Sequence, residues 1–125
     1  MAPCLKMGFI FLLFAIYFQF GYSLHCYRCI GGTGSSCDVF NKQHPNVPLI
    51  HCGEPENGFH CMQTAELINN RRRVERGCIH LSKGDRNPCT ELIAIEISRL
   101  NYTVLHCSLC QIGNGCNSET PEEIK

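Results

Sequence analysis

Two cysteine pairs have a spacing that supports thiol chemistry: Cys26 and Cys29 in LHCYRC, and Cys107 and Cys110 in HCSLCQIGNGCN. Two sulfurs separated by two residues serve three chemistries. They bind zinc as thiolates, they cycle between thiol and disulfide, or each enters a different structural disulfide. Two such pairs on one chain are the sequence signature of a zinc ribbon. The spacing alone does not choose among these, whereas the compartment does.

The segment ahead of the first pair sets that compartment. Lys6 is the only charge before Arg28, and Met7 to Phe18 is apolar apart from Gly8 and Tyr17. A run of this length falls short of the roughly 20 apolar residues that span a bilayer core. It matches the apolar stretch of a secretory signal peptide. Gly21 and Ser23 put small residues at the −3 and −1 positions of a cleavage site, so the expected signal peptide is residues 1–23. An uncleaved anchor is the competing reading. Cleavage removes Cys4, one of 11 cysteines, and leaves an even ten. The secretory route oxidises thiols into pairs, and zinc-thiolate clusters belong to reducing compartments. Ten cysteines in a mature chain of about a hundred residues is the composition of a disulfide scaffold. A redox motif is disfavoured because no strand–helix–strand pattern surrounds either pair. The expected protein is secreted and extracellular, with no metal and no cofactor.

A chain of this size is one domain, and with no Trp and few long apolar segments its core is marginal without cross-links. Formal charge is zero for the precursor, 11 basic against 11 acidic residues. Losing Lys6 leaves 10 − 11 = −1 for the mature chain. The overall basic surface of a nucleic-acid binder is missing. The charges are local: Arg71, Arg72, Arg73 and Arg76 cluster, while Glu119, Glu122 and Glu123 lie in the tail.

Several elements position these groups. Gly31–Cys37 (GGTGSSC) reads as a turn-rich loop. Asn41–Cys61, with three prolines and Asn57-Gly58, reads as loop and turn. Met62–Cys78 reads as a β-hairpin with its tip at Asn69 to Arg72, because Asn tolerates positive φ. A short helix over Thr64–Ile68 competes with that reading. In Glu91–Cys107, Ile93, Ile95 and Ile97 alternate with Ala94 and Glu96, which predicts a strand, and Tyr102 and Val104 begin a return strand. Residues 118–125 form a short polar tail, expected to be disordered. The fold class is small, all-β and disulfide-rich.

LHCYRC at the mature start, ten cysteines in this order and the closing Cys116-Asn117 resemble the lymphocyte antigen 6/urokinase receptor domain, a three-finger fold. The resemblance covers Leu24 to Asn117, so the domain is taken as 24–117. Arg76-Gly77-Cys78 is similar to the close of the second finger in secreted or tethered arthropod members of the Sleepless/Quiver type. The resemblance implies three hairpin loops on a disulfide palm. It also implies the pairs Cys26–Cys61, Cys29–Cys37, Cys52–Cys78, Cys89–Cys107 and Cys110–Cys116. Asn117 is then a structural residue that hydrogen-bonds back to the palm. Two departures fall near the end of the chain: Ser108-Leu109 separates cysteines that many vertebrate members have adjacent, and the Gln111–Gly115 loop is one residue longer than the common form. The C-terminal CNSETPEEIK lacks the hydrophobic tail of about 10–20 residues that a glycolipid anchor signal needs. No stable membrane anchor is therefore expected.

The candidate functional residues follow. Asn101-Tyr102-Thr103 is an N-glycosylation sequon. Asn69, Asn70, Arg71, Arg72 and Arg73 at the second tip are candidate partner-binding residues, since guanidinium groups pair with carboxylates and stack on aromatic rings. The competing readings are a solvated hairpin end and a convertase site. Six histidines (His25, His44, His51, His60, His80, His106) include no helical His-x3-His pair. No Gly-x-Ser-x-Gly, His-Glu-x-x-His or phosphate loop is present, so the expected protein is not an enzyme. The resemblance implies a modulator of a membrane receptor or ion channel, of nicotinic-type receptor or potassium-channel class. A junction or epithelial-barrier assembly protein is the first alternative, and a venom-type toxin the second.

Overall fold

The computed structural model describes residues 6–13 and 23–120. Residues 6–13 are helical (α1) and lie within the expected signal peptide. Cys4, Gly21 and the last five residues of the tail fall outside the described residues.

From Leu24 onward the chain forms a small, disulfide-rich β structure. Its elements are β1 (Leu24–Tyr27), β2 (Cys29–Gly31), β3 (Leu49–Gly53), a 3-10 turn (Pro55–Asn57), β4 (Phe59–Ile68), β5 (Arg71–His80), α2 (Pro88–Ser98) and β6 (Tyr102–Cys110). β1 and β3 make a two-stranded sheet, and β2-β5-β4-β6 a four-stranded one. Every pairing is antiparallel.

β4 is central, flanked by β5 and β6. Cys61, Gln63 and Ala65 on one of its faces are fully buried. Val74 and Arg76 of β5 stand opposite Ala65 and Gln63 and are buried with them. The turn between β4 and β5 is Asn69-Asn70, with φ of 52° and 63°. Two left-handed residues in a two-residue loop are what a type I′ hairpin turn requires, and its twist matches that of the strands. The competing helix over Thr64–Ile68 does not form, because these residues pair on both edges.

The disulfides are Cys26–Cys61, Cys29–Cys37, Cys52–Cys78, Cys89–Cys107 and Cys110–Cys116. They coincide with the pairs that the resemblance implies. The Sγ atoms of Cys26, Cys52 and Cys78 lie within 4.8 Å of one another, as do those of Cys61, Cys110 and Cys116. The buried Cys26–Cys61 bridge therefore runs between two others. With Leu24 these sulfurs form one small core. Cys29, Cys37, Ala65 and Val74 form a second. All six clustered sulfurs are oxidised in pairs, so this grouping is packing rather than a thiolate ligand set.

Two sequence readings are corrected. The segment around Ile93, Ile95 and Ile97 is not a strand but the helix α2. Its start signals outweigh the apparent alternation. Asn87 Oδ1 caps the helix by accepting from Cys89 N at 2.9 Å, Pro88 takes the first turn, and Glu91 follows in that turn. The half-buried residues Cys89, Leu92 and Glu96 recur at helical spacing, while Ile93, Ile95 and Ile97 are exposed. Within Asn41–Cys61, Leu49–Gly53 is a strand rather than loop, because it pairs with β1 to complete the smaller sheet. The return strand from Tyr102 forms as β6.

Candidate functional site: the β4–β5 hairpin tip

The tip is built by the Asn69-Asn70 turn and the first residues of β5. Asn69, Asn70, Arg71 and Arg73 are exposed. Asn69 N donates to Asn101 O at 2.8 Å, so the turn before β6 sits against the hairpin turn. Asn101 is exposed with φ of 59°, and Thr103 of the same sequon is exposed as well. The sequon therefore lies beside the tip, and the acceptor amide is on the surface. Ile68, Asn69, Arg71, Arg72 and Arg73 line a shallow depression.

The three consecutive arginines do not act as one patch. Successive side chains on a strand point to opposite faces, which separates Arg71 and Arg73 from Arg72. Arg73 Nη2 donates to Glu75 Oε2 at 3.1 Å, and both side chains stay about half exposed. Arg72 turns inward: its Nε donates to Asp38 Oδ1 at 2.9 Å, and the pair is nearly buried. Asp38 Oδ2 accepts from Gly34 N at 3.0 Å. Arg72 thus fastens the Gly31–Cys37 loop region to β5 and leaves Arg71 and Arg73 as the presented cations.

Below the tip the same inward face becomes a polar anchor. Arg76 is 1% exposed. Its Nε donates to Cys37 O at 2.9 Å and its Nη1 to Asn117 O at 2.8 Å. The guanidinium also lies over the Phe40 ring, 4.8 Å from the centroid. Burial lowers its pKa, opposed by the nearby Asp38 and Glu119. Asn117 is 2% exposed, and its Nδ2 donates to Tyr27 O at 2.9 Å and Met62 O at 3.1 Å. Its Oδ1 accepts from Tyr27 N at 3.0 Å. One asparagine thereby ties β1, β4 and the chain end together. Gln63 Nε2 donates to Glu119 O, which holds the start of the tail against the sheet. Burial lowers the pKa of His106, on the same face of the four-stranded sheet, with Glu119 opposing and Arg76 assisting.

The opposite face of the sheet carries a second buried polar pair. Tyr102 Oη donates to Glu66 Oε1 at 2.8 Å. Burial first, and then this hydrogen bond to Glu66, push the Tyr102 phenol up to about 12.

Comparison with protein-family models, curated proteins and solved structures returned no match for this chain. The reading of the site rests on its geometry.

Of the five tip residues singled out in the sequence, four share the exposed surface and Arg72 leaves it. Sequence reasoning gave no role to Asp38, Gln63, Glu66 or Arg76. The strand phase contained a signal for Arg76: it shares its parity with Val74, the one aliphatic residue of β5 near the tip. The arrangement offers two guanidinium groups, two amides and a neighbouring sequon on a hairpin held from beneath. This surface is suited to pairing with carboxylates and aromatic rings.

Proposed function

We propose that the protein is a secreted, non-catalytic three-finger protein of the lymphocyte antigen 6/urokinase receptor type, which binds a membrane receptor or ion channel through the β4–β5 tip. The observation that carries this reading is the separation of roles within Arg71-Arg72-Arg73. Arg72 is used internally against Asp38, while Arg71 and Arg73 remain outward on a tip whose turn is fixed. Presenting cations on a pre-ordered hairpin lowers the ordering entropy lost on binding. Ten paired cysteines and the apolar N-terminal run support an extracellular setting. Glycosylation at Asn101 belongs to the same reading.

The experiment compares tagged wild type with the Arg71→Ala/Arg73→Ala double variant, both collected from culture medium and applied to native tissue membranes. The expected result is saturable wild-type binding that the double variant loses by tenfold or more, while Arg72→Ala loses stability instead. Equal binding by wild type and double variant removes the tip from the function. Capture of junction or adhesion components instead of a receptor or channel moves the protein to the barrier-assembly alternative.

A further inference from the structure

The histidines are scattered in sequence, but β1 and β3 bring two of them together. His25 stands opposite His51 in the smaller sheet. His25 N donates to Asn114 Oδ1 at 3.0 Å, and His25 O accepts from Gly115 N at 2.8 Å. Both backbone groups of His25 therefore point away from β3, which makes His25–His51 a non-hydrogen-bonded antiparallel pair. In such a pair the side chains stand closest. The ring centroids are 5.3 Å apart, with the planes at 78°.

That separation is the one a shared metal ion needs. Zinc binds imidazole nitrogen at about 2.1 Å, which places the ion about 3.2 Å from each ring centroid. A tetrahedral angle between two such bonds sets the centroids about 5.2 Å apart. Among the described residues, the one hydrogen bond made by either ring is His25 Nδ1 donating to Ser23 O at 3.3 Å. A carbonyl on one ring nitrogen leaves the lone pair of the other for the ion, as in metal-bound histidines generally. Signal cleavage after Ser23 removes that acceptor and leaves Nε2 free as before. His51 is exposed, so its ring can turn without repacking. The backbone beneath both rings is held in advance, because each histidine precedes a bridged cysteine, Cys26 with Cys61 and Cys52 with Cys78. Other histidines are placed differently: His60 and His80 contact backbone carbonyls, and His106 contacts Ser108. Every cysteine from Cys26 to Cys116 is in a disulfide, so no thiolate there competes for the ion.

We propose that His25 and His51 form a surface site for a zinc ion, with water completing a tetrahedral shell. Two neutral nitrogens select zinc over magnesium or calcium, which take oxygen ligands. The site includes none of the tip residues Asn69 to Arg73 and does not depend on their role.

The test is calorimetric titration of the secreted protein with zinc chloride alone, followed by nitrogen NMR of the histidine rings. The expected result is one zinc per chain with a micromolar constant. Ring signals of His25 and His51 should shift, and those of His44, His60 and His80 should stay. His25→Ala and His51→Ala should each weaken binding about 100-fold, since each removes one of two linked ligands. His44→Ala, at an exposed loop position, should leave binding unchanged. Magnesium chloride at the same concentrations should give no binding heat. Circular dichroism with a count of free thiols verifies that each variant is folded, and the exposed His51 keeps the test open if His25→Ala is not. No zinc binding by wild type up to about 1 mM overturns the proposal. So does zinc binding that is indifferent to His51→Ala. Binding that needs His25 and not His51 assigns the ion to the chain start, where cleavage after Ser23 frees the Leu24 amine, and likewise overturns it.

Discussion

The β4–β5 hairpin and helix α2 are held in opposite ways. The hairpin pairs along its full length, from Phe59–His80 to Ile68–Arg71, and its inward face is locked by Arg72–Asp38 and by Arg76. Helix α2 has no buried residue. It is tethered by the Cys89–Cys107 bridge, by Val104 N donating to Glu96 Oε1 at 3.3 Å and by the Asn69–Asn101 backbone contact. One region is stable because it is packed, the other because it is tied. Local stability follows buried contact, so the two should open at different free energies.

Removing the anchor under the hairpin should have the largest effect. Arg76→Ala leaves the carbonyls of Cys37 and Asn117 without donors and opens a void. The expected loss is about 3 kcal/mol or more in denaturant unfolding, with reduced secretion. Removing the tether comes next. Cys89→Ser/Cys107→Ser should lose up to about 3 kcal/mol on the chain-entropy account of an 18-residue separation. Hydrogen exchange should show α2 amides deprotected while β4 and β5 stay protected. Equal deprotection of both regions would end the distinction between them.

Tyr102 joins the strand that follows α2 to the hairpin, since it begins β6 and donates to Glu66 of β4. Tyr102→Phe should lose about 2 kcal/mol, because the hydrogen bond it removes is to a carboxylate. The raised phenol pKa means the folded protein holds this proton more tightly than the unfolded chain does. Its contribution is complete below pH 10 and is lost as pH rises toward about 12. Alkaline unfolding should therefore steepen over that window in wild type and not in Tyr102→Phe. The smallest effect separates the arginines. Arg72→Ala should lose about 1 kcal/mol, and Arg71→Ala and Arg73→Ala less than about 0.5 kcal/mol each by thermal unfolding.

The same contrast explains how far the sequence could be read. The hairpin was legible because its signals are local: the middle of Met62–Cys78 is polar, and Asn69-Asn70 names the turn. The disulfide pairing was reached by resemblance, since ten cysteines leave too many pairings for spacing to decide. Helix α2 was misread because Ile93, Ile95 and Ile97 fit a two-residue period, and an exposed helix gives no inward apolar stripe to counter it. The cap at Asn87-Pro88 was the available signal. The splitting of Arg71-Arg72-Arg73 was implicit in strand geometry, but Arg72's partner Asp38 is 34 residues away in sequence. Only the fold brings that pair together. The buried roles of Arg76, grouped by charge with the tip arginines, and of Gln63 were hidden for the same reason: a charged and an amide side chain read as surface until loops from elsewhere cover them.

The central claim is that the β4–β5 tip is the partner-binding surface. A photo-cross-linking side chain placed at Arg71, and in a parallel protein at the exposed Lys83 beyond the opposite end of β5, tests it most directly on native membranes. The account predicts a membrane receptor or channel cross-linked from position 71, displaced by excess unmodified protein, and absent from position 83. Equal capture from both positions, or none from position 71, would contradict it.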